Sequence, residues 1–405
     1  MKRLFGRRSD DIKSIEVSTK HLTLRVVLFS TFLVLGIGAI IYGLTGLFSE
    51  EGGWQTVEAV PYASADCSDE FNFQYELGAG ELSPKTEYGQ LSQLYGQVTA
   101  KTYQLFHQTQ LFEDVNNVAY LNAHPNEKAE VDEVLYNAFE LLEKADSRQL
   151  FLAPYWEYYS MLFSCSEDSD AGWYDPKHNK ELEELFLQIS EYVSDPRAVS
   201  LELYGDNQVC LRVSEEYLQF ARENDIYCFI DFHFMKNAFI IDCIAGELIQ
   251  GGFTHGVISS FDGFYRDLDD RDTWYSLNLF DRKGNTALYA AAMDYTKPLS
   301  IVSLRTFSVS ESDLRYYAYS NGETRFPYLD MQGNCLAAES NLVCYSDKAG
   351  CARLLLEMIP AYISDSLETG GLTAEYVYCR ENVIYCSDKD IELRDICDGY
   401  EMRIE

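Results

Sequence analysis

Basic side chains are in short supply. The 405 residues carry 32 Lys and Arg against 65 Asp and Glu, a net charge of −33. A body this acidic repels nucleic acid and anionic headgroups, so nucleic acid is excluded as a partner, while cations and basic proteins are attracted. Zinc-type spacing is missing too: the 11 cysteines contain no C-x-x-C pair, and no histidine lies near Cys344 and Cys351. There is no G-x-S-x-G, H-E-x-x-H, P-loop or G-x-G-x-x-G, so none of the common hydrolase or nucleotide signatures applies. The acidic run Asp267, Asp269, Asp270, Asp272 lacks the glycine and the closing glutamate of a calcium loop. Internal repeats and low-complexity tracts are absent as well.

What is present begins with one long apolar run. Residues 26–48 carry no charge, and about 20 such residues span a bilayer. Lys2, Arg3, Arg7, Arg8, Lys13, Lys20 and Arg25 precede the run; Ser49, Glu50 and Glu51 follow it. That asymmetry places the N-terminus in the cytoplasm and the rest outside. The run is too long for a cleaved signal, and no cysteine follows it directly for lipidation. The expected plan is therefore a basic cytoplasmic tail (1–25), a transmembrane helix (26–48), a linker (49–66), an ectodomain (67–363) and a C-terminal strand extension of the same domain (364–405).

Within the ectodomain, Ser83-Pro84, Asp132 and Ser214 read as helix starts, and a further helix spans about Lys180 to Val193. The stretch 198–213 reads as a hairpin turning at Gly205-Asp206-Asn207. After Arg271 the pattern is mostly strands, with one helix at 349–363 containing Pro360. Helices early and antiparallel strands late indicate an α+β class. Cysteines in apolar runs, such as Cys228, Cys243 and Cys344, read as small buried hydrophobes. Cys379 and Cys386, flanking a hairpin turn, are the pair expected to bridge in an oxidising exterior.

Residues 226–269 carry the most information. IYCFIDF reads as a strand ending at Asp231. Met235, Ala238, Phe239, Asp242, Ala245 and Ile249 follow at helical spacing, and THGVISSF reads as a second strand ending in Asp262-Gly263. Ligands bind at such strand ends in open α/β units. Asp242, on the apolar stripe, needs a partner if buried, with Arg266 and Arg305 as candidates.

This block resembles the core of the FAD:protein FMN transferase (ApbE) family, whose pattern is D-L-G-G-I-A-K-G-Y-A-V-D. Asp231, Phe239 and Asp242 match; His233 and Phe234 replace the paired glycines, and Asn237 replaces the lysine. NNVAYLN, ending at Asn122, resembles the family's S-x-x-x-x-x-N element. Leu150–Phe163 sits at the place of its flavin-contacting loop, and YLDMQG, with Asp330 and Gly333, resembles its I-x-D-P-x-T-G turn. The resemblance runs from about Cys67 to Pro360. It implies a two-lobed flavin-transferase-like ectodomain with its nucleotide in a cleft, FAD as the bound flavin, and Asp231, His233, Asn237, Asp262, Gly263 and Asp330 as the residues nearest it.

The family reaction moves FMN from FAD onto a Thr or Ser hydroxyl of a protein. Its metal ligands come from A-D-x-x-x-T, and here those positions hold Gly350 and Leu354. Neither ligates a metal, so no magnesium ligands and no catalytic residues are assigned; Asp347 and Asp330 are the local carboxylates that an active enzyme would have to recruit. The expectation is a membrane-tethered, catalytically degenerate protein that binds a flavin nucleotide or an exported protein partner. An active magnesium-dependent transferase is the alternative, and an aromatic, acidic glycan-binding module, drawing on Trp156, Tyr158, Tyr159, Trp173 and Tyr174, is a third.

Overall fold

The computed structural model describes residues 52–63, 65–284, 286–309 and 315–405. The expected cytoplasmic tail and membrane span lie outside them. Among the described residues no helix is long and apolar enough to cross a membrane.

The α-helices of more than one turn are α1 (Pro84–Phe106), α2 (Val118–Ala123), α3 (Glu133–Lys144), α4 (Ala153–Phe163), α5 (Lys180–Val193), α6 (Glu215–Glu223), α7 (Lys236–Gln250) and α8 (Cys351–Tyr362). Their starts follow the capping chemistry of the sequence. Ser83, Asp132 and Ser214 each accept a hydrogen bond from a first-turn backbone N–H of α1, α3 and α6.

One large sheet organises the chain. Its strands, in spatial order, are β1 (Gly53–Thr56), β2 (Phe71–Leu77), β6 (Gly256–Ser260), β7 (Phe264–Asp267), β10 (Ser300–Arg305), β13 (Asn341–Ser346), β14 (Glu375–Arg380), β15 (Val383–Cys386) and β17 (Glu401–Ile404). All neighbours run antiparallel except β15 and β17. Three small sheets accompany it: β3 (Lys128–Glu130) with β5 (Gln208–Val213) and β4 (Val199–Leu203); β16 (Glu392–Arg394) with β9 (Thr286–Tyr295) and β8 (Tyr275–Lys283); and β11 (Tyr317–Ala318) with β12 (Thr324–Arg325). The β4–β5 hairpin turns where expected, with Asp206 and Asn207 at positive φ.

Side-chain alternation divides the large sheet between two cores. Val302, Leu304, Leu342 and Cys344 face the main core beneath α7 and α8. Ile301, Val343, Tyr345, Val377 and Ile384 point the other way, into a second core closed by β8 and β9. Covered on both faces, β10 is buried along its whole length, which explains why SIVSLR shows no polar stripe. Residues 52–405 pack as one unit.

Three expectations need correction. The segment read as a linker enters the sheet at once: Gly53–Thr56 pairs with β2, and Val57 is buried. IYCFIDF forms no strand, because its backbone bonds are taken elsewhere. Asn122 Oδ1 accepts from the N–H of Phe229 and Ile230, its Nδ2 donates to the Ile230 carbonyl, and the Asp231 N–H donates to the Leu150 carbonyl. The central unit is therefore loop, helix, strand, and β6 pairs antiparallel on both sides. Finally, all 11 cysteines are free thiols. Cys379 lies opposite Ile384 and Cys386 opposite Val377, so the two sit on a diagonal of the hairpin. Burial pushes both thiols up to about 12.

Asp242 ties the helical layer to the sheet. Its Oδ1 accepts from Cys351 N and its Oδ2 from Ala352 N, each at 2.9 Å, so a carboxylate on α7 caps α8. Arg266 of β7 completes the arrangement at 3.3 Å. Of the two partners expected for Asp242, Arg266 is the one that meets it. Replacing Asp242 with Ala strips the cap and leaves Arg266 uncompensated in a largely buried setting. The expected loss is about 3 kcal/mol of unfolding free energy, read from urea denaturation; a loss below ~1 kcal/mol would show that the cap does not hold the layers together.

Candidate functional site

A cleft of about 520 Å³ opens at the N-terminal end of α7. Asp69, Glu70, Gln108, Asp231, His233, Lys236, Asn237, Phe261, Asp262 and Arg315 line it. Its size falls within the range of small-molecule sites. Four of the six candidate residues, Asp231, His233, Asn237 and Asp262, are thus brought together from two separate chain segments.

Asp231 is fixed from two directions. Its N–H is held by Leu150, and its Oδ1 accepts from His233 N at 2.9 Å. Asn122, buried, pins the two residues before it, so the NNVAYLN element acts by positioning this loop. Burial pushes the Asp231 carboxyl up to about 6, against the opposing pull of the His233 N–H and Lys236.

His233 takes the place of a family glycine but keeps a glycine-like backbone, with φ of 37°. A side chain in this left-handed region carries strain of about 1 kcal/mol. The ring stacks on Trp156 of α4, with centroids 3.5 Å apart and planes within 7°. Burial, helped by Arg315 and Lys236, drives its pKa well below the ordinary value, so the imidazole is neutral. Its Nδ1 is buried with no hydrogen-bond partner among the described residues.

Charged groups close the rest of the rim. Lys236 Nζ lies 2.8 Å from Glu70 Oε1. Asn237 Nδ2 donates to Asp262 Oδ2 at 3.1 Å, and Arg315 approaches the same oxygen at 2.9 Å. Asn237 Oδ1 and Asp262 Oδ1 are buried without partners among the described residues. Sequence reasoning missed Glu70, Lys236 and Arg315. Lys236 adjoins a candidate and was within reach of the pattern; Glu70 and Arg315 come from distant segments with no local signal.

Gly263 plays a backbone role beside Asp262. Its φ is 103°, and a Cβ would stand 2.3 Å from the Ser303 carbonyl oxygen, so only glycine fits there. Asp330 does not line the cleft. Its Oδ1 accepts from Gln332 N and Asn334 N, closing a turn on itself, and Gly333 there has φ of 80° against Tyr155 and Phe186. Asp347 lies on a different surface depression, with Trp274 and Asp388.

The metal positions inferred from the sequence hold no ligating atoms. Leu354 is fully buried in the core. At Gly350, a Cβ would stand 2.4 Å from Asp242 Oδ2, so the carboxylate of Asp242 fills the space, and both its oxygens already accept backbone hydrogen bonds. The residues present do not fit magnesium at this place. Among the described residues no cluster of three or more His, Cys, Asp or Glu side chains is arranged to hold a metal.

The fold is similar to that of a solved structure, the ApbE protein from Thermotoga maritima. It superposes with a TM-score of 0.51 at 12% identity, over 84% of this chain and 97% of that one. The chain has an ApbE-like fold. The flavin transferase ApbE from Vibrio cholerae matches over 86% of this chain and 99% of its own at 9% identity and a TM-score of 0.49. The flavinyl transferase ApbE of Pseudomonas stutzeri, in its apo form, gives 11% identity and 0.45 over 82% and 91%. No family model matches the sequence, and neither does any curated protein.

The buried Asp231 makes a pH-dependent contribution to stability. Its carboxyl titrates near 4 in an unfolded chain and about 6 in the folded one. Stability from the protonated form is present below pH 4 and is lost as pH rises through 6, by roughly 2–3 kcal/mol. Asp231→Asn keeps the acceptor for His233 N and cannot titrate. Urea unfolding at pH 4.5 and 7.5 is expected to show the variant gaining on the parent by about that amount at the higher pH; parallel behaviour would refute the assignment.

Proposed function

We propose that the protein is a membrane-tethered, extracytoplasmic flavin-nucleotide-binding module built on an ApbE-like scaffold, without FMN-transfer activity. The observation that carries the reading is the contrast between two places in the fold. The cleft keeps buried polar atoms that await a ligand: His233 Nδ1, Asn237 Oδ1 and Asp262 Oδ1. At the metal position, by contrast, Gly350 and Asp242 are fully engaged with one another and with the end of α8. Attack at a pyrophosphate phosphorus needs its developing charge neutralised, and loss of a metal ligand there lowers the rate by roughly 10³-fold or more. FAD is the ligand this reading assigns, held by Asp231, His233, Asn237 and Asp262, with Lys236 and Arg315 as the cations of the site. The tether is the uncharged run 26–48.

One observation favours the active-transferase reading. A carboxylate, that of Asp242, does stand at the place where the family supplies one. To serve a metal it would have to release two backbone N–H groups and Arg266. The glycan reading draws on aromatics that are split between core and surface: Trp156 and Tyr159 are buried, whereas Trp173 is exposed.

Calorimetric titration of the purified full chain with FAD, with and without magnesium, separates these readings. The expected result is binding that is indifferent to magnesium and no release of AMP on incubation with a Thr-containing acceptor protein. Magnesium-dependent binding with AMP release would establish the transferase instead, and absence of binding in both conditions would remove the flavin from the account.

A further inference from the structure

Asn237 and Asp262 share one unsatisfied arrangement. Asp262 Oδ2 is served twice, by Asn237 Nδ2 and by Arg315. The other oxygen of that carboxylate, and the amide oxygen of Asn237, are buried with no partner among the described residues. Both residues line the cleft; Asn237 is 6% exposed and the Asp262 side chain 5%. Buried acceptors without donors are uncommon and costly; Asn237 Oδ1 can only accept, and the same holds for Asp262 Oδ1 when that carboxyl is ionised. What completes them must therefore donate. A phosphate at neutral pH brings oxygens and negative charge to a carboxylate, the wrong chemistry on both counts. A ring N–H or amino group brings what is missing. The replacement at 237 points the same way: the resembling family pattern has lysine there, a donor only, whereas asparagine offers an acceptor.

We propose that the cleft grips its ligand by the N–H edge of a planar heterocycle, received by Asn237 Oδ1 and Asp262 Oδ1. This rests on the reading that the cleft holds a flavin nucleotide. Such a molecule has two edges of this kind, the imide N–H of the flavin ring and the amino group of adenine. Lys236 and Arg315 line the same cleft and have the right sign for carbonyls beside an imide. The phosphates then contribute little to recognition, and the net acidity of the cleft lining is no obstacle.

The test uses the full chain and four phosphate-free ligands: riboflavin, 3-methylriboflavin, adenosine and N6,N6-dimethyladenosine. Dissociation constants are read by fluorescence and calorimetry. In one of the two pairs, methylation is expected to weaken binding on the order of ten- to a hundred-fold, and that pair identifies the edge. Asn237→Leu, checked for folding by thermal melting, is expected to bind the parent compound as weakly as its methylated form. Equal affinities within both pairs would overturn the proposal, since a bound water rather than a ligand would then be satisfying the acceptors. Binding of FAD without measurable binding of any of the four would also overturn it while leaving the flavin-nucleotide reading in place. If FAD and all four fail, both fall.

Discussion

The carboxylate of Asp242 is the constraint from which the rest of the architecture follows. It sits on α7, caps α8 through two backbone N–H groups and meets Arg266 on β7. Three layers of the fold converge on one partly buried carboxyl group. Burial alone raises its pKa; Arg266 and the two amides oppose that. A charge so placed is tolerated only while every partner stays in position. The spacing of α7 and α8 over the sheet is therefore fixed, and so is the direction in which the N-terminus of α7 points. That end is where Lys236 and Asn237 enter the cleft. Gly350 belongs to the same constraint, because any side chain there would displace the carboxylate.

The cleft is positioned by a second device, the amide of Asn122. It reaches across 107 and 108 residues of sequence to bind the backbone of Phe229 and Ile230. An extended segment satisfied by a side chain needs no strand neighbour. It stays free to end in the left-handed turn at His233, where the ring settles flat on Trp156. Strain at His233 is retained because both flanks are over-determined: Asp231 is held by Leu150 on one side, and α7 by Asp242 on the other. Local strain over-determined in this way is characteristic of ligand sites.

These two devices also mark the boundary of what the sequence makes legible. Local rules succeeded where local chemistry decides. Ser83, Asp132 and Ser214 cap the helices they precede, and Gly205-Asp206-Asn207 turns the hairpin, because each needs only its immediate neighbours. Burial of β10 on both faces was not readable as such, since an apolar hexamer looks the same with one face covered or two. IYCFIDF has every property of a strand and is not one; the competitor for its backbone was an asparagine amide more than a hundred residues away. The cleft was partly legible, since Asp231, His233 and Asn237 lie within one short segment and Asp262 ends the next. Glu70 and Arg315 reach it only through the sheet order β2–β6–β7–β10, which single-residue patterns do not encode. Asp330 attracted notice for its turn motif, and a turn is what it makes.

The departures from the family pattern fall into two groups with different physical outcomes. At Gly350 and Leu354 the substitutions leave nothing unsatisfied: the leucine is core, and the glycine makes room for a carboxylate whose two oxygens are bonded. A site that still exchanged a divalent ion would keep oxygens that the protein itself does not use. At His233 and Asn237 the substitutions do the reverse. They add polar atoms to a buried lining and leave them unpaired, which destabilises the free protein. Unpaired polar atoms at two residues that line one cleft amount to a penalty that a bound molecule would remove. Stability alone would favour filling these positions as thoroughly as Gly350 and Leu354 are filled. That the scaffold closes one place and leaves the other open is the physical argument behind the proposal of a ligand held without being transformed.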